Sequence, residues 1–143
     1  MLAGVRPEEV GEWTEPSAAV TFAASADSQG QAVEHAVEQA RRVAARGADA
    51  VVVVDSLEYV SPAVARRALA AARNIVDGGS LTVIASAPAA LGGETTVIAL
   101  DAALVAMGRF PALDLANSGT MRPELLVGDA GAEAIAKARA DTA

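Results

Sequence analysis

The chain has 143 residues, which is enough for one domain with a sizeable core. It is 52% hydrophobic but only 3% aromatic, so Ala, Val, Leu and Ile must build that core. A net charge of −7 argues against nonspecific binding to nucleic acid, which depends on Lys and Arg.

Cysteine is absent, which excludes thiol catalysis, disulfides and cysteine-ligated zinc. No apolar run in the sequence reaches the length of a membrane span, and the first residues lack the pattern of a signal peptide. The sequence therefore predicts a cytoplasmic protein without a membrane partner.

Strands and helices alternate along the chain. The β-branched stretch 18–23 predicts a strand, and apolar residues at helical spacing over 31–46 predict an amphipathic helix. The apolar run 50–55 is typical of a central parallel strand that is covered on both faces. Later segments are predicted as a helix over 62–77, strands over 80–87, 95–100 and 110–115, and a helix over 131–139.

This alternation predicts an α/β fold with a mostly parallel sheet and helices on both faces. About five or six strands are expected, and the segment 95–115 is expected to add the late strands to one edge of that sheet.

Four motifs follow one another in a specific order: RPEEV at 6–10, VVDS at 53–56, AARNI at 71–75 with GGSLT at 78–82, and FPALD at 110–114 with SGT at 118–120. In this order they resemble the ATPase domain of the bacterial transcription terminator Rho, a hexameric RecA-like motor. The resemblance implies a RecA-like three-layer core over residues 1–127, followed by a C-terminal helix and tail over 128–143.

Several motor parts of Rho are not matched. A P-loop requires G-x-x-x-x-G-K-[ST], but the only lysine is Lys137 and no such pattern precedes it. Gly4 and Val5 stand where Rho carries an Asp-Glu pair that polarises water, and Met121 stands at the position of the arginine finger. Because phosphoryl transfer depends on such positioning, the sequence predicts an inactive relative with no catalytic residue, cofactor or metal.

The two RNA-contacting loops of Rho also look shortened. Little more than one helix separates Ser56 from Ala71, and a turn over 91–94 stands in place of the second loop. Together with the net negative charge, this argues against RNA as a partner.

The resemblance leaves a remnant of a nucleotide and magnesium site: Asp55, Ser56, Arg6, Ser118 and Thr120. Asp55 at a strand end could coordinate magnesium, but a purely structural carboxylate is the favoured interpretation. Glu8 and Glu9 are interpreted as a helix start rather than an acid–base pair, and His35 as a solvated side chain.

The arginines form a second candidate set, as contacts to a partner protein or on the RNA side: Arg66, Arg67, Arg73, Arg109 and Arg122. A solvated helix face is the alternative for the first three. The leading prediction is a binding module that contacts a protein partner, another copy of itself or a Rho ring. The alternatives are a divergent Rho-type ATPase that binds ATP and magnesium, or a fragment of one whose P-loop lies upstream.

Overall fold

The fold is described from a computed structural model for Leu2–Ala3, Thr21–Phe22 and residues 25–141. It divides into two compact units, Met1–Glu94 and Thr95–Ala143, called unit 1 and unit 2 below. The expected helix start near Glu8 and Glu9 lies outside the described residues.

Unit 1 is an α/β arrangement. Its strands are β1 (Leu2–Ala3), β2 (Thr21–Phe22), β3 (Ala50–Val54), β4 (Arg73–Asn74) and β5 (Ser80–Ala85), in the spatial order β2-β1-β3-β5-β4. Three of these strands are two residues long, so β3 and β5 form most of the sheet. The pairs β2–β1, β1–β3 and β3–β5 are parallel, and β4–β5 is antiparallel.

Helices α1 (Ala26–Ala45) and α2 (Pro62–Leu69) pack on this sheet. One continuous core joins them to the inward side chains of β3 and β5: Val33, Ala36, Val37, Ala40, Ala44, Val52, Val54, Leu57, Val60, Ala65, Ala68 and Leu81. The expected α/β class is therefore confirmed, with a core of small aliphatic side chains. Among the described residues, no helix is both long and apolar enough to cross a membrane.

Two helix predictions in unit 1 were wrong in length. Helix α1 begins five residues earlier than expected, after Ser25, because Gly30 is accommodated inside it. Helix α2 ends at Leu69 instead of continuing to Asp77. The Arg73 side chain donates hydrogen bonds to the carbonyls of Ala70 and Ala71, which satisfies backbone groups where the helix has ended.

A close approach of two backbone segments explains the Gly78-Gly79 pair. A Cβ on Gly79 would lie 2.1 Å from the carbonyl oxygen of Ala48, a distance that no side chain tolerates. Gly79 N also donates to the Ala44 carbonyl at 2.8 Å. The pair therefore allows the entry to β5 to pack against the end of α1.

Unit 2 contains β6 (Thr96–Leu100), α3 (Ala102–Ala106), β7 (Leu113–Thr120) and α4 (Glu124–Ala140). The strand expected over 110–115 instead begins at Leu113. Strands β6 and β7 pair antiparallel in a two-stranded sheet of their own, so the prediction that they extend the parallel sheet was wrong. Asp101 caps α3, a short helix missed in the sequence, by accepting from Ala103 N at 2.7 Å.

Helix α4 is longer than the predicted segment 131–139. It begins directly after Pro123 and includes a non-helical residue, Gly128, with φ 72° and ψ 170°. Glycine adopts this backbone conformation without the steric penalty of a Cβ, so the two helical stretches meet at a kink. Because apolar periodicity was weak before this glycine, the first stretch was not recognised.

Candidate functional site

The predicted remnant of a nucleotide site begins at the carboxyl end of β3. Asp55 follows this strand, and Ser86 follows the neighbouring strand β5. Ser86 Oγ donates a hydrogen bond to Asp55 Oδ1 at 2.5 Å, while Ser86 N donates to the Val54 carbonyl at 3.1 Å. Parallel strand ends at a sheet edge are common ligand positions, but one Asp55 oxygen here is bonded within the sheet.

Ser56 is fixed by two contacts. Its carbonyl accepts a hydrogen bond from Gln29 Nε2 at 3.0 Å, and its Oγ accepts one from Glu58 N at 3.2 Å. Gln29 is 5% exposed and is the buried polar side chain among the described residues. The sequence analysis missed Gln29 because the predicted helix begins at residue 31, two residues after it. The signal that could have found it is a polar residue in the first turns of a helix that packs near the end of a strand.

Ser118 and Thr120 lie on β7 in unit 2, whereas Asp55 and Ser56 lie in unit 1. Ser118 Oγ donates to the Asp114 carbonyl at 2.6 Å and accepts from Ala99 N at 2.9 Å. Thr120 Oγ1 lies 2.9 Å from Thr96 Oγ1. Both hydroxyl groups therefore contribute to the pairing of β7 with β6.

The residues just before Ser118 form a bulged turn in β7. The pairing passes from Ala99 opposite Asp114 to Val97 opposite Gly119, so β7 has extra residues here. Asp114 accepts from the side chain of Asn117 at 2.6 Å and from its backbone N–H at 3.0 Å. These two hydrogen bonds, the side-chain one first, hold the pKa of Asp114 below its ordinary value.

The first three predicted contact arginines are engaged inside unit 1. Arg66 Nε donates to the Leu91 carbonyl at 2.6 Å, and Arg67 pairs with Glu34 across the two helices at 2.5 Å. Arg73 bonds the end of α2, as described above. All three guanidinium groups thus have partners within unit 1, so they differ from the side chains of a purely solvated helix face.

Arg109 and Arg122 lie in unit 2. Arg122 pairs with Glu124, and this hydrogen bond is the main reason that the pKa of Glu124 lies below its ordinary value. Within the described part of the chain, the Arg109 guanidinium has no hydrogen bond or ion pair. Arg109 is exposed, as is the following Phe110.

The predicted turn over 91–94 is a compact loop built around the Glu94 carboxylate. Glu94 Oε1 accepts from Leu91 N and Gly92 N, each at 3.1 Å, and Glu94 Oε2 is buried without a hydrogen-bond partner. The backbone N–H groups of Glu94, Gly92 and Leu91 lower its pKa, with help from the charge of Arg66 and against the effect of burial.

Gly93 lets this loop approach α2 closely. It has φ +101°, and a Cβ would lie 2.8 Å from the Arg66 carbonyl oxygen. The loop therefore contacts Arg66 in two ways: Leu91 accepts a hydrogen bond from the Arg66 side chain, and Gly93 packs against the Arg66 backbone.

No group of acidic, histidine or cysteine side chains among residues 25–141 could hold a metal ion. His35 Nε2 lies 2.7 Å from Gln39 Nε2 one turn along α1. Arg6, the remaining predicted site residue, lies outside the described residues.

Comparison with known proteins defines the class of this α/β chain. It is similar to transcription termination factors named Rho: 34% identical to that of Streptosporangium roseum, 32% to that of Mycobacterium tuberculosis and 29% to that of Chromobacterium violaceum. Each match covers 89% of this chain but only 43%, 28% and 40% of those relatives. No protein-family model matches.

The chain thus spans less than half the length of these relatives. Its similarity to them extends over about nine-tenths of its own sequence, which is more than the four motifs cover. The resemblance to Rho is therefore confirmed.

Proposed function

We propose that this chain is a Rho-like α/β protein that binds other proteins in transcription termination and neither hydrolyses ATP nor moves RNA. We infer further that its sheet is a RecA-like core. One observation carries the proposal: every described side chain of the nucleotide remnant is hydrogen-bonded within its own unit. Asp55 bonds Ser86, Ser56 bonds Glu58 N, Ser118 bonds β6 and Thr120 bonds Thr96.

These bonds support structural roles for residues that resemble a catalytic site. A magnesium ion prefers near-octahedral coordination and usually shares its ligands with substrate phosphates. The chain has no G-x-x-x-x-G-K-[ST] sequence to hold those phosphates. Under the proposal, the hydrogen bond between Asp55 and Ser86 stabilises the carboxyl ends of β3 and β5, and the protein needs no nucleotide.

A protein partner suits this chain better than RNA. Its net charge is −7, and Arg66, Arg67, Arg73 and Arg122 have intramolecular partners. The candidate partners are another copy of the chain and a Rho ring, and we place this action in the cytoplasm. If a Rho ring is the partner, the chain will elute with a Rho hexamer on size exclusion after mixing; separate elution would remove this partner.

The second candidate function is a divergent nucleotide-binding protein of the Rho type. It is favoured by the similarity to Rho factors and by the VVDS motif around Asp55, which resembles the Walker B strand of Rho. Arg6, Asp55, Ser56, Ser118 and Thr120 would then contact ATP and magnesium.

Isothermal titration with Mg-ATP, Mg-ADP and RNA oligomers separates these functions. The proposal predicts no saturable heat with any of them. Saturable nucleotide binding that Asp55→Asn removes and Asp77→Asn preserves would support the second function instead. Asp77 is a suitable control because it is an exposed aspartate of unit 1 away from the sheet edge.

A further inference from the structure

Among the described residues of unit 1, helices cover one face of the sheet and leave the other face, called the open face, exposed. Val52 and Val54 of β3 and Leu81 of β5 point into the core shared with α1 and α2. On the opposite face, Val51 is 49% exposed and Ile84 is 56% exposed. Parallel strands are normally covered on both faces, so this apolar surface is unusual for β3 and β5.

The side chains on the open face form a regular ladder of cross-strand pairs. The register sets Val51 opposite Thr82 and Val53 opposite Ile84. Asp49 and Asp55 flank β3, and each accepts a hydrogen bond from a serine at an alternate position with Thr82 and Ile84, namely Ser80 and Ser86. The ladder thus has an apolar centre and one carboxylate at each end, and we call it the Asp-framed face.

A serine holds each carboxylate in place. Ser80 donates to Asp49 Oδ1 from its backbone N at 3.0 Å and from its Oγ at 2.8 Å. Ser86 Oγ donates to Asp55 Oδ1 at 2.5 Å. The second oxygen of each aspartate has no hydrogen bond or ion pair within the described chain, and both residues are exposed. Two fixed acceptors therefore remain open at opposite ends of an apolar strip.

The spacing of the two aspartates suggests the shape of the ligand. Six residues of an extended strand span roughly 20 Å. A helix rises 1.5 Å per residue, so about 14 residues cover the same distance. Helices are the usual cover of a parallel sheet, and a helix places residues about seven apart on one face.

We propose that the Asp-framed face binds an amphipathic helix of a partner protein, with aliphatic side chains along one stripe and an Arg or Lys near each end. This assignment rests on the proposed function as a protein-binding module and adds its surface and the chemistry of its partner. Charge decides among the possible occupants. A second copy of the same face would bring four carboxylates together on a chain whose net charge is already −7, whereas a helix with basic ends complements both.

The test uses a designed peptide and the full chain. The peptide is a stapled helix of about 15 residues, with arginine at both ends and leucine and alanine on the same face between them. Binding is measured by fluorescence anisotropy and mapped by methyl NMR. We expect saturable binding that shifts the Val53 and Ile84 methyl signals, and no binding of the same peptide with glutamate in place of arginine.

Two variants identify the face. Asp49→Asn with Asp55→Asn removes both charges but keeps oxygen acceptors for the serines, so the fold should persist. We expect affinity to fall about tenfold or more. Ile84→Ser should weaken binding by a similar factor because it removes apolar contact. The control, Glu34→Gln with Glu38→Gln, makes the same change in net charge on α1, which packs on the covered face, and should bind like the parent chain.

Absence of binding to the parent chain would overturn the assignment, as would equal loss in the aspartate variant and its control. A concentration-dependent dimer that Ile84→Ser disperses would make a second copy the occupant and also overturn it. A failure here is distinct from failure of the proposed function, which is overturned by saturable binding of nucleotide or RNA.

Discussion

Unit 1 and unit 2 differ in how they use their apolar residues. All buried hydrophobic side chains of the described chain lie in unit 1, except Ala112. In unit 2, by contrast, Leu100, Phe110, Leu115 and Leu126 are each at least 70% exposed. Unit 1 therefore has a core of its own, whereas unit 2 has a two-stranded sheet, which is at best marginally stable by itself. The stability of the chain should accordingly depend on unit 1.

The largest expected effect is at the close approach in unit 1. Gly79→Ala should destabilise the protein by about 3 kcal/mol, because its Cβ would meet the Ala48 backbone at 2.1 Å. Gly30→Ala is the matched control: no atom lies within 4 Å of its Cβ, and alanine favours the helix. Urea unfolding should show a loss of stability for Gly79→Ala and a gain for Gly30→Ala. Equal effects of the two substitutions would contradict the close approach of Gly79 to Ala48.

A second pair of substitutions tests the contrast between the units directly. Val52→Ala removes a side chain that is 0% exposed and should cost about 2 kcal/mol. Leu126→Ala in α4, where the side chain is 72% exposed, should change stability by less than about 0.5 kcal/mol. Thermal and urea unfolding measure both, and a larger loss at Leu126 would reverse the comparison.

Glu94 should make the stability of unit 1 depend on pH in the acidic range. The pKa of Glu94 is lower in the folded chain than its ordinary value, so its contribution to stability is present above the unfolded pKa of about 4.3. This contribution is lost as the pH falls through the lower folded value. Glu94→Gln should therefore flatten the fall in stability between about pH 5 and pH 3, whereas Glu133→Gln on exposed α4 should not. Parallel profiles for Glu94→Gln and the parent chain would refute this role.

The smallest effect is expected in unit 2. Arg139 Nη2 donates to the Ser118 carbonyl at 2.5 Å and so joins α4 to β7. Arg139→Ala should destabilise by about 0.5 kcal/mol, the low end for an exposed hydrogen bond, and should speed amide exchange in β7. Lys137→Ala, two residues earlier on the same helix, is the control. Equal stability of the two variants would show that the Arg139 hydrogen bond does not stabilise unit 2.

The same contrast explains what could be predicted from the sequence. In unit 1 the apolar run ending at Val54 and the helical spacing of α1 are direct consequences of burial, so both elements were found. In unit 2 burial is slight, and the apolar pattern carries little information. The start of β7 was misplaced, and α4 was found only beyond Gly128.

The candidate residues were found by resemblance, but their roles depend on contacts that the sequence does not display. Asp55 was recognised at the end of its strand, yet its partner Ser86 lies 31 residues away on β5. Arg66 was proposed as a partner contact, although it bonds the Leu91 carbonyl 25 residues further along. Such pairs arise from strand register and loop packing, which a single sequence does not specify.

Hydrogen exchange of the intact chain, resolved to single amides, tests the central contrast most directly. We expect the amides of α1, β3 and β5 to exchange slowest, near the rate set by global unfolding, and those of β6 and β7 to exchange at least about a hundredfold faster. Equal protection of both regions would show that unit 2 is as stable as unit 1 and would contradict the difference between the two units.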